Sequence, residues 1–405
     1  MSIPRSIRCT GSTTPLLIAG QGVFLFTSTT PASFYIYTKD KSKGPLSSPQ
    51  GGALTSAEPM RGLHVHFTTV SVAIYQLPEG KLLVDPHNKQ GFSTASDVSY
   101  WFSLDAQNQM LRAGLGEARI ETQIYKYNLK DKLFLEELTY IHTTDTITPL
   151  RLLRDPITRS VPLRVKRSHE LTMEDIASGK VLPKSHLSAV SETLYDCIGW
   201  KSFSLNTPDF PNFSKAIEYS IATPGLWCHE TLKKKAGEFG KPNPLETYLR
   251  ITLSENNGES PGIPYVMEIW PPQHYSPIHN HAGASAIIRV LHGDIHVKLF
   301  PFLSKDVVTP FATADFKKDE ITWISPTLNQ THQLTNHSNI TTCITIQCYM
   351  YEKEDTAHYD YFDYIDESGN RKQYEPDSDM DFLKFKQRMK EEWEGRPVKS
   401  KGCWC

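Results

Sequence analysis

The chain has 405 residues, 39 % of them apolar, and a formal net charge of −2. That length suits two domains with ordinary cores, and the near-neutral charge argues against a general attraction to nucleic acid. No apolar run reaches the roughly eighteen residues of a membrane-crossing helix, so no transmembrane segment is expected. The N-terminus lacks the basic-then-apolar layout of a signal peptide. Seven scattered cysteines do not form the even framework of a secreted disulfide fold. Together these predict a cytoplasmic protein.

Residues 1–145 read as an all-β domain of sandwich or jelly-roll type, with no role assigned. Runs such as VFLFTST, SFYIYTKD, VSYWFSLD and MLRAGLG are rich in β-branched and aromatic residues and are separated by turn signals. Residues 41–58 read as a polar Gly/Ser/Pro loop. His64-Val65-His66 has the spacing of a metal pair, but no third ligand follows, and ordinary strand histidines explain it better. Trp101 and Phe102 suit a buried core better than a ligand-binding face.

Residues 146–215 read as a Pro-punctuated connection in which the basic run at 164–167 is a solvated face. Thr172 to Asp175 carry a capping-box signal for a short helix. Residues 216–365 form a second β domain. Within it lies PYVMEIWPPQHYSPIHNHAGASAIIRVLHGDIHVKLF, residues 264–300. Residues i and i+2 of a strand face the same side, so His279 and His281 can point at one atom. His332 is a third candidate, followed by Asn336. Residues 366–405 hold an amphipathic helix capped by Ser378 or Asp379, with Phe382, Phe385, Met389 and Trp393 as its apolar stripe. The chain ends in a basic patch and Cys403-Trp404-Cys405. That ending is similar to lipidated tails of Rab-type GTPases, although an incidental tail is the preferred reading.

The pair at 279 and 281, Gly293 and the later Pro326, His332 and Asn336 resemble the cupin superfamily, which implies a C-terminal β-barrel and a mainly β protein with few helices. The cupin acidic ligand would fall at Ala286, leaving His279, His281 and His332. The pattern Trp270, His274, Ser276, Ile278, His279, His281 is similar to the cysteine dioxygenase family of thiol dioxygenases. So are Tyr248-Leu249-Arg250 and the segment around Tyr349, and the resemblance spans residues 245–352. It implies Fe(II) on the three histidines, O2 and a small thiol as substrates, and conversion of cysteine to cysteine sulfinic acid. It makes Arg250 and Tyr349 catalytic, places Tyr248, Arg250 and Gln347 at the substrate, and sets His274 and Ser276 behind the metal ligands. Two departures stand out. Ala286 removes the cysteine that some members cross-link to the tyrosine, and Gln347 replaces a histidine.

The donor types agree with that chemistry. Three neutral imidazoles leave a divalent ion its full charge and favour an anionic thiolate. A guanidinium is a planar match for a carboxylate, so Arg250 points to a thiol carboxylate. 3-Mercaptopropionate is the next substrate after cysteine. The alternative from another class is a non-catalytic cupin whose N-terminal domain binds a partner of unknown kind.

Overall fold

The computed structural model describes residues 3–38, 61–83, 91–93, 98–129, 134–254, 264–352 and 361–397. The loop read at 41–58 and the tail cysteines Cys403 and Cys405 lie outside these. Contacts divide the chain into two units, Met1–Ser160 and Val161–Cys405. No helix among the described residues is long and apolar enough to cross a membrane.

The first unit has two six-stranded sheets. One contains Gln21–Thr27 paired with Ser99–Asp105, and the other contains Ala32–Tyr37 paired with Gly62–Phe67. Its aromatic-rich strands pack Phe24, Phe26, Phe34, Phe67, Tyr100 and Phe102 into one buried cluster. Trp101 is buried too, its indole N–H donating to Thr122 Oγ1 at 3.1 Å. Both Trp101 and Phe102 therefore serve the core. His64 stacks between Tyr35 and Tyr75, while His66 pairs with Ser33 Oγ at 2.5 Å. Local packing accounts for that second histidine pair.

The second unit places an eight-stranded sheet opposite a six-stranded one. The larger runs Val181–Pro183, Arg164–Lys166, Ile321–Ile324, Ser285–His292, Cys343–Met350, Tyr265–Trp270, Leu249–Ser254 and Met380–Asp381. The smaller runs Ala312–Lys317, Asp294–Leu299, His332–Thr335, Ile278–His279, Phe362–Ile365 and Arg371–Tyr374. The protein is mainly β as expected, and among the described residues the strands of the second unit form two sheets rather than one closed barrel. The larger sheet ends in strands of three and two residues, too short to carry the ladder across.

Residues 146–215 do more than connect. Thr148–Leu153 pairs with Gln21–Thr27 in the first unit, and Arg164–Lys166 pairs with Ile321–Ile324 in the second. The basic run is a strand rather than a bare charged face: Val165 is buried, Arg164 meets Glu320 and Lys166 meets Asp175. The capping box of Met173–Ser178 is present, with Thr172 Oγ1 accepting from Asp175 N.

Strand periodicity sorts the inner and outer faces. In Cys343–Met350, Ile344, Ile346 and Cys348 face the helices Ala189–Ile198, Phe213–Ala222, Trp227–Lys234 and Phe382–Glu394. Thr345, Gln347 and Tyr349 face the other way. Phe385 and Met389 of the last helix are fully buried, with Phe382 and Trp393 packed beside them. Asp381 caps that helix by accepting from Lys384 N, in place of the expected Ser378 or Asp379. Gly293 makes the turn after Ser285–His292 at φ 67°, where a Cβ would sit 2.5 Å from Thr342 O. Ser188 caps Ala189–Ile198 through Ser191 N at 3.1 Å and also donates to Glu352. Ser188→Ala is expected to cost about 1 kcal/mol, read as a lower urea midpoint with an unchanged slope.

Candidate metal centre

His279 and His332 sit opposite one another on neighbouring antiparallel strands, and His281 follows two residues after His279. The three rings lie 4.7 to 4.9 Å apart by centroid, with ligand atoms all within 4.8 Å. His281 Nε2 faces His332 Nε2 at 3.0 Å. His279 Nδ1 donates to Pro277 O at 3.0 Å, an orientation that leaves its Nε2 as the ligating atom. The turn after His281 has positive φ at Ala282 and Gly283. Gln330 locks it, accepting from Gly283 N and donating to Ala284 O.

Burial keeps these rings neutral. It lowers His279 to about 4, with Arg250 adding to the effect against the Pro277 carbonyl. His281 and His332 fall well below the usual histidine range, through burial first and neighbouring imidazoles second. Neutral imidazole is the form that ligates a metal. Among the described residues His281 Nδ1 is buried without a hydrogen-bond partner, so none of them satisfies both of its nitrogens. Three uncharged nitrogen donors with an unsatisfied ring fit a divalent transition ion such as iron, zinc, nickel or copper.

Behind the histidines lies a polar chain that the sequence reading missed in part. Arg250 Nη1 donates to Glu268 Oε1 at 2.7 Å, with both side chains buried. Gln347 Nε2 donates to Glu268 Oε2, and the Tyr349 hydroxyl donates to Gln347 Oε1. The Tyr349 ring stacks on His281 at 5.4 Å. Burial pushes the Glu268 carboxyl up to about 7 against the pull of Arg250 and Lys235. Arg250 is thus already matched to a protein carboxylate, although its Nε has no hydrogen-bond partner among the described residues.

The other expected residues take distinct places. Tyr248 stacks on Trp270 at 4.2 Å. Ser276 Oγ accepts from Leu334 N at 3.0 Å, bracing the strand that starts at His332. His274 is further out, its Nδ1 within 2.7 Å of Thr247 O. Ala286 pairs directly across from Tyr349, while Cys348 faces Leu194 and Ile287 on the helix side. Phe239, Phe362, Tyr364 and Tyr374 also line the site. They come from segments with no motif: Phe362, Tyr364 and Tyr374 arrive by sheet pairing, and Phe239 by packing on Tyr248, Tyr364 and Tyr374. The enclosed space is about 10 Å³, room for about one water.

No family model and no curated relative matches the chain. Its fold is similar to solved cupin structures over part of its length. The Cnp3 cupin domain of Schizosaccharomyces pombe is 11 % identical over 26 % of this chain and 65 % of that one, with a TM-score of 0.20. The protein TT1209 of Thermus thermophilus is 14 % identical over 28 % and 91 %, TM-score 0.21. The polyketide cyclase RemF of Streptomyces resistomycificus is 18 % identical over 24 % and 58 %, TM-score 0.18. Likenesses at these scores carry no argument about activity.

Proposed function

We propose that the second unit is a three-histidine, iron(II)-dependent thiol dioxygenase for a small thiol, with cysteine and 3-mercaptopropionate as the first substrates to test. The observation that carries this reading is the convergence of three neutral imidazoles beside Tyr349 and the buried Arg250–Glu268 pair. Bound iron(II) would supply the one-electron chemistry with O2 that a closed-shell thiol lacks. His279, His281 and His332 would hold it on one face.

The reaction is R–SH + O2 → R–SO2H. The O–O bond breaks, two S–O bonds form, and the sulfur gives up the four electrons that O2 gains, so no outside reductant is required. Arg250 would orient a substrate carboxylate through its unpartnered Nε while Nη1 stays with Glu268. Gln347 fixes the Tyr349 hydroxyl in place of a histidine. Positioning of this kind is what the protein adds to the metal's chemistry.

Anaerobically iron-loaded protein given cysteine and then air should consume O2 and form sulfinate in equal amounts. Arg250→Met should keep its iron and raise KM for carboxylate thiols more than it lowers kcat. Bound iron with no thiol-dependent O2 uptake overturns the proposal.

A further inference from the structure

We propose a second metal site on the outer face of the six-stranded sheet, formed by His296, Asp315 and His337 and suited to a borderline divalent ion, zinc foremost. Their ligand atoms all lie within 4.8 Å of one another. His296 Nδ1 is 2.7 Å from Asp315 Oδ1, and the His296 and His337 rings stack with centroids 4.5 Å apart.

The backbone presents these groups together. His296 is directly across from Asp315 on one side and Thr335 on the other. His337 lies two residues beyond the end of the strand His332–Thr335, and its ring stacks on His296. Asn336, between Thr335 and His337, turns inward and is fully buried, donating to Trp270 O, Pro271 O and Thr341 O. Gln273 Nε2 clamps His337 O at 2.8 Å. The chain beneath His337 is therefore fixed while its imidazole stays exposed.

Donor chemistry selects the ion. Two imidazoles and one carboxylate disfavour magnesium and calcium, which take oxygen donors, and suit zinc, nickel or copper. Tetrahedral zinc needs donors about 3.3 Å apart, so the ligand atoms, now within 4.8 Å of one another, have to contract by side-chain rotation at half-buried His296 and exposed Asp315 and His337. Lys298, on the same strand face as His296, is held by Gln333 Oε1 at 3.2 Å. Such an ion would clip Asp294–Leu299 and Ala312–Lys317 to the end of the strand that begins at His332. This site is independent of the chemistry assigned to the buried histidines.

The test is zinc titration of metal-free, full-length protein followed by calorimetry and native mass spectrometry. Wild type should bind two equivalents and His296→Ala/His337→Ala one, with the remaining equivalent lost on further removal of His279 and His332. Should the latter variants fail to fold, diethyl pyrocarbonate mapping of wild type gives the answer directly. Zinc should protect His296 and His337 from modification about tenfold or more if they are ligands. The proposal is overturned if His296→Ala/His337→Ala keeps wild-type stoichiometry, or if zinc leaves both histidines as reactive as before.

Discussion

Replacing His332 with alanine should abolish stoichiometric iron(II) binding and all thiol-dependent O2 uptake. Two remaining imidazoles do not make a facial set, and a site stripped to two ligands loses most of its affinity. The change also has a structural cost. Among the described residues His281 Nε2 pairs with His332 Nε2 alone, and its Nδ1 has no partner. His332→Ala therefore leaves a buried imidazole with neither nitrogen satisfied, at about 1–3 kcal/mol. His332→Gln separates the two effects, because its amide can still pair with His281 while binding iron poorly. Metal analysis and chemical denaturation of both variants provide the check. Either variant holding one iron per chain at wild-type affinity sinks the ligand assignment.

Much of this histidine cluster is readable from the chain because its members obey local rules. His279 and His281 share a face by strand period, and His332 lies across from His279. The pattern of Tyr265–Trp270 also bears on the partner of Arg250. In Tyr265–Trp270, Val266, Glu268 and Trp270 share the face away from the helices, whereas Met267 and Ile269 pack on them. An acid between two buried apolar residues on the inner face calls for a counter-charge, and Arg250 is directly across from it in register. By contrast, the pairing of Arg164–Lys166 with Ile321–Ile324 spans more than 150 residues and rests on a three-residue strand. No pattern within so short a basic run announces that contact. The sheet edges have the same origin: they depend on distant neighbours, whereas the histidine motif speaks only for the segments around it.

The Arg250–Glu268 pair should respond unequally to loss of its two halves. Glu268→Leu strands a buried guanidinium that cannot shed its proton, so it should cost about 3–5 kcal/mol. Arg250→Met should cost less near neutral pH, because Glu268 can go neutral. Its carboxyl is already raised to about 7 by burial. The pH dependence has a definite sign. A carboxyl raised in the fold leaves stability intact below its unfolded value and erodes it as pH climbs toward the folded value. In wild type that erosion ends near 7. Arg250→Met removes a group that lowers the carboxyl, so its erosion continues above 7 and the gap from wild type widens there. Urea unfolding of wild type, both single variants and the double Glu268→Leu/Arg250→Met at pH 6 and pH 8.5 measures the coupling directly. The double variant should recover much of what Glu268→Leu loses, since an apolar pair replaces a stranded charge. Equal losses in both single variants, unchanged between the two pH values, would mean that the two side chains do not act as a buried ion pair.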